Sequence, residues 1–176
     1  NSPVMLTMRI RSCHVTGSFE TRDNVRPPLS VKDALSAPRS DFNRVVLPPM
    51  SYVHEQDKVK NRWPAAEKFI VEHGLNERFG PEEARVGIVC QGGMYNGVIR
   101  ALQRLGLADL YGETQVPIYV LNVTYPLIAS EFLGWAAGRT DILVVEEGQP
   151  EFIESQLGSY LYRAGAQVKL HGKGAF

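Results

Sequence analysis

Residues 86–106 read VGIVCQGGMYNGVIRALQRLG, and the fold turns on how they are divided. Residues 86–90 form a short, unbroken apolar run. Gly92 and Gly93 then make a turn, and Val98, Ala101, Leu102 and Leu105 recur at helical spacing until Gly106 closes the helix. The same rhythm continues downstream. A second run, 118–123, leads to a helix carrying Ile128, Phe132, Trp135 and Ala136, closed by Gly138. A third run, 142–145, leads to Ile153, Leu157, Tyr160 and Leu161 on a helix closed by Gly165, and 167–170 reads as the fourth strand. Strands that are apolar throughout, alternating with amphipathic helices, predict an α/β fold. The sheet is open, mostly parallel and flanked by helices on both faces, with right-handed crossovers.

Upstream the texture changes. Residues 4–15 (VMLTMRIRSCHV) alternate and carry branched side chains, which predicts one strand. Pro27-Pro28, Pro38 and Pro48-Pro49 follow and withdraw backbone donors, so 17–50 reads as an irregular connection that wraps a neighbour. A helix is expected from about Ser51, interrupted near Trp63-Pro64, with Ala66, Phe69, Ile70 and His73 as its buried stripe and Gly74 as its end. The chain thus divides into a terminal strand and exit segment (1–24), a linker with a helix (25–84) and the α/β domain (85–176). It opens Asn1-Ser2-Pro3 without methionine, which reads as an excised start.

Composition narrows the function classes. Among 176 residues, 44% are hydrophobic and 22% charged, and nineteen basic side chains balance nineteen acidic ones. Neither net charge nor a like-charge run points to nucleic acid or an anionic membrane. There is no apolar run of the roughly 18 residues that a span needs and no signal-peptide pattern. Cys13 and Cys90 belong to no C-x-x-C pair, which removes a self-contained four-cysteine zinc or iron–sulfur site. Free thiols in a reducing cytoplasm are the expectation for both, with a disulfide between them as the alternative.

In an open α/β sheet, ligands gather at the carboxyl ends of the strands. Those ends supply the candidate ligand- or interface-facing residues: Gln91, Gly92, Gly93, Tyr95 and Asn96; Thr124 and Tyr125; Glu146 and Glu147. The glycine turn either presents backbone N–H groups to an anion or only permits a tight turn; it matches neither G-x-G-x-x-G nor G-x-x-x-x-G-K-[ST]. Thr124-Tyr125-Pro126 either punctuates the chain or aims a hydroxyl at a partner. Of Glu146 and Glu147 only one can face a given side of the sheet, and either caps the next helix or reaches another domain. His14 stands beside Cys13, but strand neighbours point to opposite faces. His54, His73 and His171 fall in unrelated contexts, so no catalytic constellation emerges. An independent nucleotide- or CoA-binding doubly wound domain is one class consistent with these residues.

The segments VGIVCQGGMYNGVIRALQRLG, IYVLNVTYPL and DILVVEEGQPEFIESQL, in that order, resemble a region of the indolepyruvate:ferredoxin oxidoreductases. Tyr95-Asn96, Thr124-Tyr125-Pro126 and Glu146-Glu147-Gly148 fall in that family's order and spacing. VMLTMRIRSCHVTGSFETRDN is similar to the last strand and exit of its pyrimidine-binding domain. The resemblance covers about 4–24 and 85–160. It implies a transketolase C-terminal-like domain in an enzyme that oxidatively decarboxylates aryl 2-oxoacids to acyl-CoA. Thiamine diphosphate, Mg²⁺ and iron–sulfur clusters would serve the parent enzyme, and ferredoxin would take the electrons. The G-D-G…N cofactor signature and the clustered cysteines are missing from these 176 residues. The resemblance therefore implies a non-catalytic structural and interaction domain, binding no cofactor itself, packed on thiamine-binding domains in a dimeric enzyme. The equivalent domain of another thiamine enzyme, such as a pyruvate oxidoreductase, is the other member of this class.

Overall fold

A computed structural model describes residues 5–7, 16–18, 20–21, 23, 30–36 and 45–175. The strand expected over 4–15, with Cys13 and His14, lies outside them apart from 5–7. The chain divides into two units, 1–45 and 46–176. In the first, the expected irregular stretch contains a short helix, α1 (Val31–Ser36). It forms because Ser30 starts it: Ser30 Oγ accepts the Asp33 N–H at 3.1 Å, a side-chain cap on an otherwise unpaired donor.

The second unit begins with a helical run rather than an interrupted one. Helix α2 (Met50–Asp57) passes through a π-helical turn (Lys58–Arg62) into α3 (Trp63–Glu72). Pro64 has no N–H to donate and its ring crowds the carbonyl four residues back. A locally widened helix accommodates it without ending the run. The buried stripe is rotated from the expected one. Trp63 and Glu67 are half-buried and Ile70 is buried, whereas Ala66, Phe69 and His73 are exposed, and Phe69 stacks on His73 with centroids 3.9 Å apart.

The sheet follows the expected rhythm. Strands β2 (Val86–Gln91), β3 (Ile118–Leu121), β4 (Asp141–Val145) and β5 (Lys169–His171) are parallel, linked by α4 (Tyr95–Arg104), α5 (Ala129–Ala136) and α6 (Phe152–Ala164). A three-residue strand, β1 (Glu77–Phe79), adds antiparallel to β3, giving the order β1-β3-β2-β4-β5. The second parallel strand stops at Leu121 instead of running to 123, because Asn122 turns out of the ladder to bond Leu75 and Glu77, just before and at the start of β1. The last is shifted to Lys169–His171, where pairing with β4 sets it.

Strand alternation sorts the core into two layers. Val89, Tyr119, Leu121, Ile142 and Val144 face α5 and α6, meeting Phe132, Trp135, Leu157 and Leu161. Ile88, Cys90, Ile118 and Val120 face α4, meeting Val98, Ile99 and Leu102. Leu105 is 70% exposed and Ala101 is exposed too, since the buried arc of α4 runs through Val98, Ile99 and Leu102. Gly106, Gly138 and Gly165 end their helices at φ 72°, 79° and 65°, a region that costs glycine little. No helix among the described residues is long and apolar enough to cross a membrane.

Candidate functional site

The connection through α4 carries the chain from β2 to β3 on one side, and the connection through α5 carries it back past β2 to β4. Adjacent strands β2 and β4 are therefore left by connections that diverge to opposite faces, which opens a crevice at their carboxyl ends. Gln91 and Glu147 bridge it: the Glu147 N–H donates to Gln91 Oε1 at 2.7 Å. Glu146 continues the row of Ile142 and Val144 and so turns towards α6. Its carboxylate accepts the Ile153 N–H at 3.0 Å and the Glu154 N–H at 3.3 Å, with Lys173 Nζ 3.9 Å away and only 4% of the side chain exposed. Glu146 is thus the cap of α6, satisfying two donors at its positive end. Glu147 is exposed.

At the glycine turn, a Cβ on Gly92 would lie 2.5 Å from Asn122 Oδ1, so close packing on the end of β3 demands glycine there. The Asn122 amide in turn donates to Leu75 O at 3.0 Å and Glu77 Oε2 at 2.8 Å. Gly93 faces open space and Asn96 is exposed. Tyr95 turns away from the crevice into the α4-side layer, 5.0 Å from the Phe79 ring. Burial, then the nearby Glu77, Cys90 and Glu113, raise its phenol above the ordinary tyrosine value.

Thr124 and Tyr125 lie elsewhere on the same edge, on the rim of a cleft of about 630 Å³ between α3, the β3–α5 loop and α6. Trp63, Gln91, Phe152 and Gln156 share its lining. Tyr125 and Phe152 are 77% and 72% exposed. Trp63 meets Tyr125 edge-on at 5.2 Å, with the rings at 83°, and Trp63 Nε1–H donates to Glu67 Oε1 at 2.9 Å. Trp63, Phe152 and Gln156 were not among the sequence candidates. The available signal was Phe152, an aromatic just outside the stripe of Ile153, Leu157 and Leu161.

Other polar groups hold the fold. Tyr119 Oη donates to Glu131 Oε2 at 2.9 Å, Asn76 Nδ2 donates to the same oxygen at 3.0 Å, and the Val123 N–H donates to Asn76 Oδ1 at 3.1 Å. Burial and then Glu131 push the Tyr119 phenol far up. Cys90 is a free, buried thiol that burial pushes up to about 11. It packs between β2 and α4, unsuited to ligating a cluster. Among the described residues, no three His, Cys, Asp or Glu side chains converge on a metal position. The nine candidates therefore separate: Gln91 and Glu147 bridge the crevice; Glu146 caps α6; Gln91 also joins Thr124 and Tyr125 at the cleft; Gly92 packs on β3 and Gly93 and Asn96 are exposed; Tyr95 is in the other layer.

Residues 76–175 match the family model described as the indolepyruvate oxidoreductase domain. The indolepyruvate oxidoreductase subunit IorA of Methanothermobacter thermautotrophicus is 30% identical over 176 residues, which is 97% of this chain and 26% of that protein. The IorA subunit of Pyrococcus abyssi is 32% identical over 177 aligned residues, covering 97% of this chain and 25% of its own length. That of Thermococcus kodakarensis is 33% identical over 94 residues, 53% of this chain and 13% of its own. The chain spans about a quarter of the length of the full-coverage relatives.

Proposed function

Because the chain belongs to the indolepyruvate oxidoreductase domain family, we propose that it serves as a non-catalytic structural and interaction domain within an enzyme that oxidatively decarboxylates aryl 2-oxoacids. In this reading residues 1–24 finish a preceding domain, 25–84 link, and 85–176 form the docking body. The parent enzyme carries thiamine diphosphate, Mg²⁺ and iron–sulfur clusters on other domains, forms acyl-CoA and passes electrons to ferredoxin as a cytoplasmic dimer. The free Cys90 thiol accords with a reducing compartment. Bound thiamine diphosphate would stabilise the carbanion formed on decarboxylation; this chain's contribution is a rigid surface against which the cofactor-bearing domains are set.

The observation that carries this reading is the commitment of the polar side chains at the carboxyl edge. Glu146 is spent on α6, Gln91 on the Glu147 backbone and Asn122 on the segment before β1. Beside them Gly93, Asn96, Thr124 and Tyr125 present an exposed outer surface. Titration calorimetry of the chain with thiamine diphosphate and Mg²⁺ tests it. No heat of binding is expected, and micromolar affinity overturns the non-catalytic role.

A further inference from the structure

The cleft beside Tyr125 has a construction that edge-on docking does not require. Three aromatic side chains reach it from three separate segments: Trp63 from α3, Tyr125 from the β3–α5 loop and Phe152 from the first turn of α6. The perpendicular Trp63 and Tyr125 rings, 5.2 Å apart, form a corner. A third flat ring can stack on one and offer its edge to the other, which are the two arrangements aromatic quadrupoles favour. Exposing Tyr125 and Phe152 to water at 77% and 72% forfeits the apolar burial their rings would gain beneath a ligand.

The polar groups are few and sit around that corner. The Glu67 carboxylate, fixed by the Trp63 indole N–H at 2.9 Å, keeps a second oxygen as an acceptor. The Gln91 amide is oriented by the Glu147 N–H on its oxygen, which leaves its Nε2 as a donor. Thr124 and Gln156 line the cleft with side chains that have no hydrogen-bond partner among the described residues. Apolar walls with a handful of convergent polar groups, in a volume of about 630 Å³, are the ordinary make-up of a small-molecule site. Past Glu67 and Tyr160 a second groove of about 610 Å³ runs along α3, so a ring bearing a substituent can be accommodated.

We infer that this cleft binds a planar nitrogen heteroaromatic ring, stacked in the Trp63–Tyr125 corner and donating an N–H to Glu67. The aryl-substrate arm rests on the proposed function, whereas the ring chemistry of the cleft stands on the geometry alone. Two sources share this chemistry, the indole of an aryl substrate or product and the adenine of a nucleotide-bearing cofactor.

Nuclear magnetic resonance titration of the 176-residue chain distinguishes them. Indole and adenosine are added separately, and the Trp63 Nε1–H and the side-chain amides of Gln91 and Gln156 are followed. Saturable shifts with indole alone assign the site to an aryl acid, shifts with adenosine alone assign it to a nucleotide, and shifts with both support the shared ring chemistry. Tyr125→Ala is expected to weaken binding about fivefold through the lost stacking, and N-methylindole to bind more weakly than indole. Tyr125 is exposed, so the variant folds, and Gln156→Ala gives a second reading at an exposed position. No saturable shift with either probe overturns the inference, as does binding that both variants leave unchanged.

Discussion

Gln91 Oε1 accepts the Glu147 N–H at 2.7 Å across 56 residues of sequence, which ties the end of β2 to the loop leaving β4 at the crevice of the sheet. Replacing Gln91 with Ala should cost about 1 kcal/mol in chemical unfolding. It should also speed hydrogen exchange at the Glu147 amide while α5 keeps its protection. Gln91→Glu keeps an acceptor and should restore much of that protection.

Glu146 is the larger lever at the same edge. Two N–H groups of α6 end on its carboxylate, and the charge complements both the positive end of the helix dipole and Lys173. Glu146→Ala is expected to lower stability by about 1–2 kcal/mol, measured by urea denaturation, with exchange at Ile153 and Glu154 rising first. Glu146→Gln should fall between.

Gly87 lies under Trp135. A Cβ there would come within 2.6 Å of the indole ring and 3.1 Å of Arg139 Cδ, in a layer where Arg139 stacks on Trp135 at 4.2 Å. Gly87→Ala should destabilise by about 1–3 kcal/mol through overpacking and red-shift tryptophan emission. Combining it with Trp135→Leu should cost less than the sum of the two, the sign of a shared contact.

Asp141 gives the acid limb of stability its direction. Hydrogen bonds from His171, at 2.8 Å, and then from Thr140 hold its carboxyl below the ordinary value, with Lys169 assisting. A depressed folded-state pKa contributes stability that is present above the unfolded value of about 3.9 and lost as pH falls through the folded one. Urea midpoints measured below about pH 4 should therefore drop more steeply for the wild-type chain than for Asp141→Asn.

These relationships mark where sequence legibility ends. The three central strands were readable because a parallel strand covered on both faces must be apolar throughout, as 88–90, 118–121 and 142–145 are. The helix stops were readable because glycine alone enters positive φ cheaply. Strand β1 was not, since Glu77-Arg78-Phe79 has no period long enough to detect and is held by a partner about forty residues away. At the site, the strand-end position of Gln91 and Thr124 was legible from topology. The arrival of Trp63 and Gln156 was not, because it depends on how α3 and α6 lie over the sheet. The packing of Tyr95 was not legible either, because it depends on Phe79, which the unread β1 brings against its ring.

Strands β1 and β5, each only three residues long, flank the sheet. Each carries charge or potential charge, Glu77 and Arg78 on one and Lys169 and His171 on the other. Brief, polar borders offer an incoming chain too little ladder to extend and oblige it to desolvate ions. The parallel interior, rich in valine and isoleucine, is thereby fenced from edge-to-edge pairing, which disfavours lateral growth at both margins.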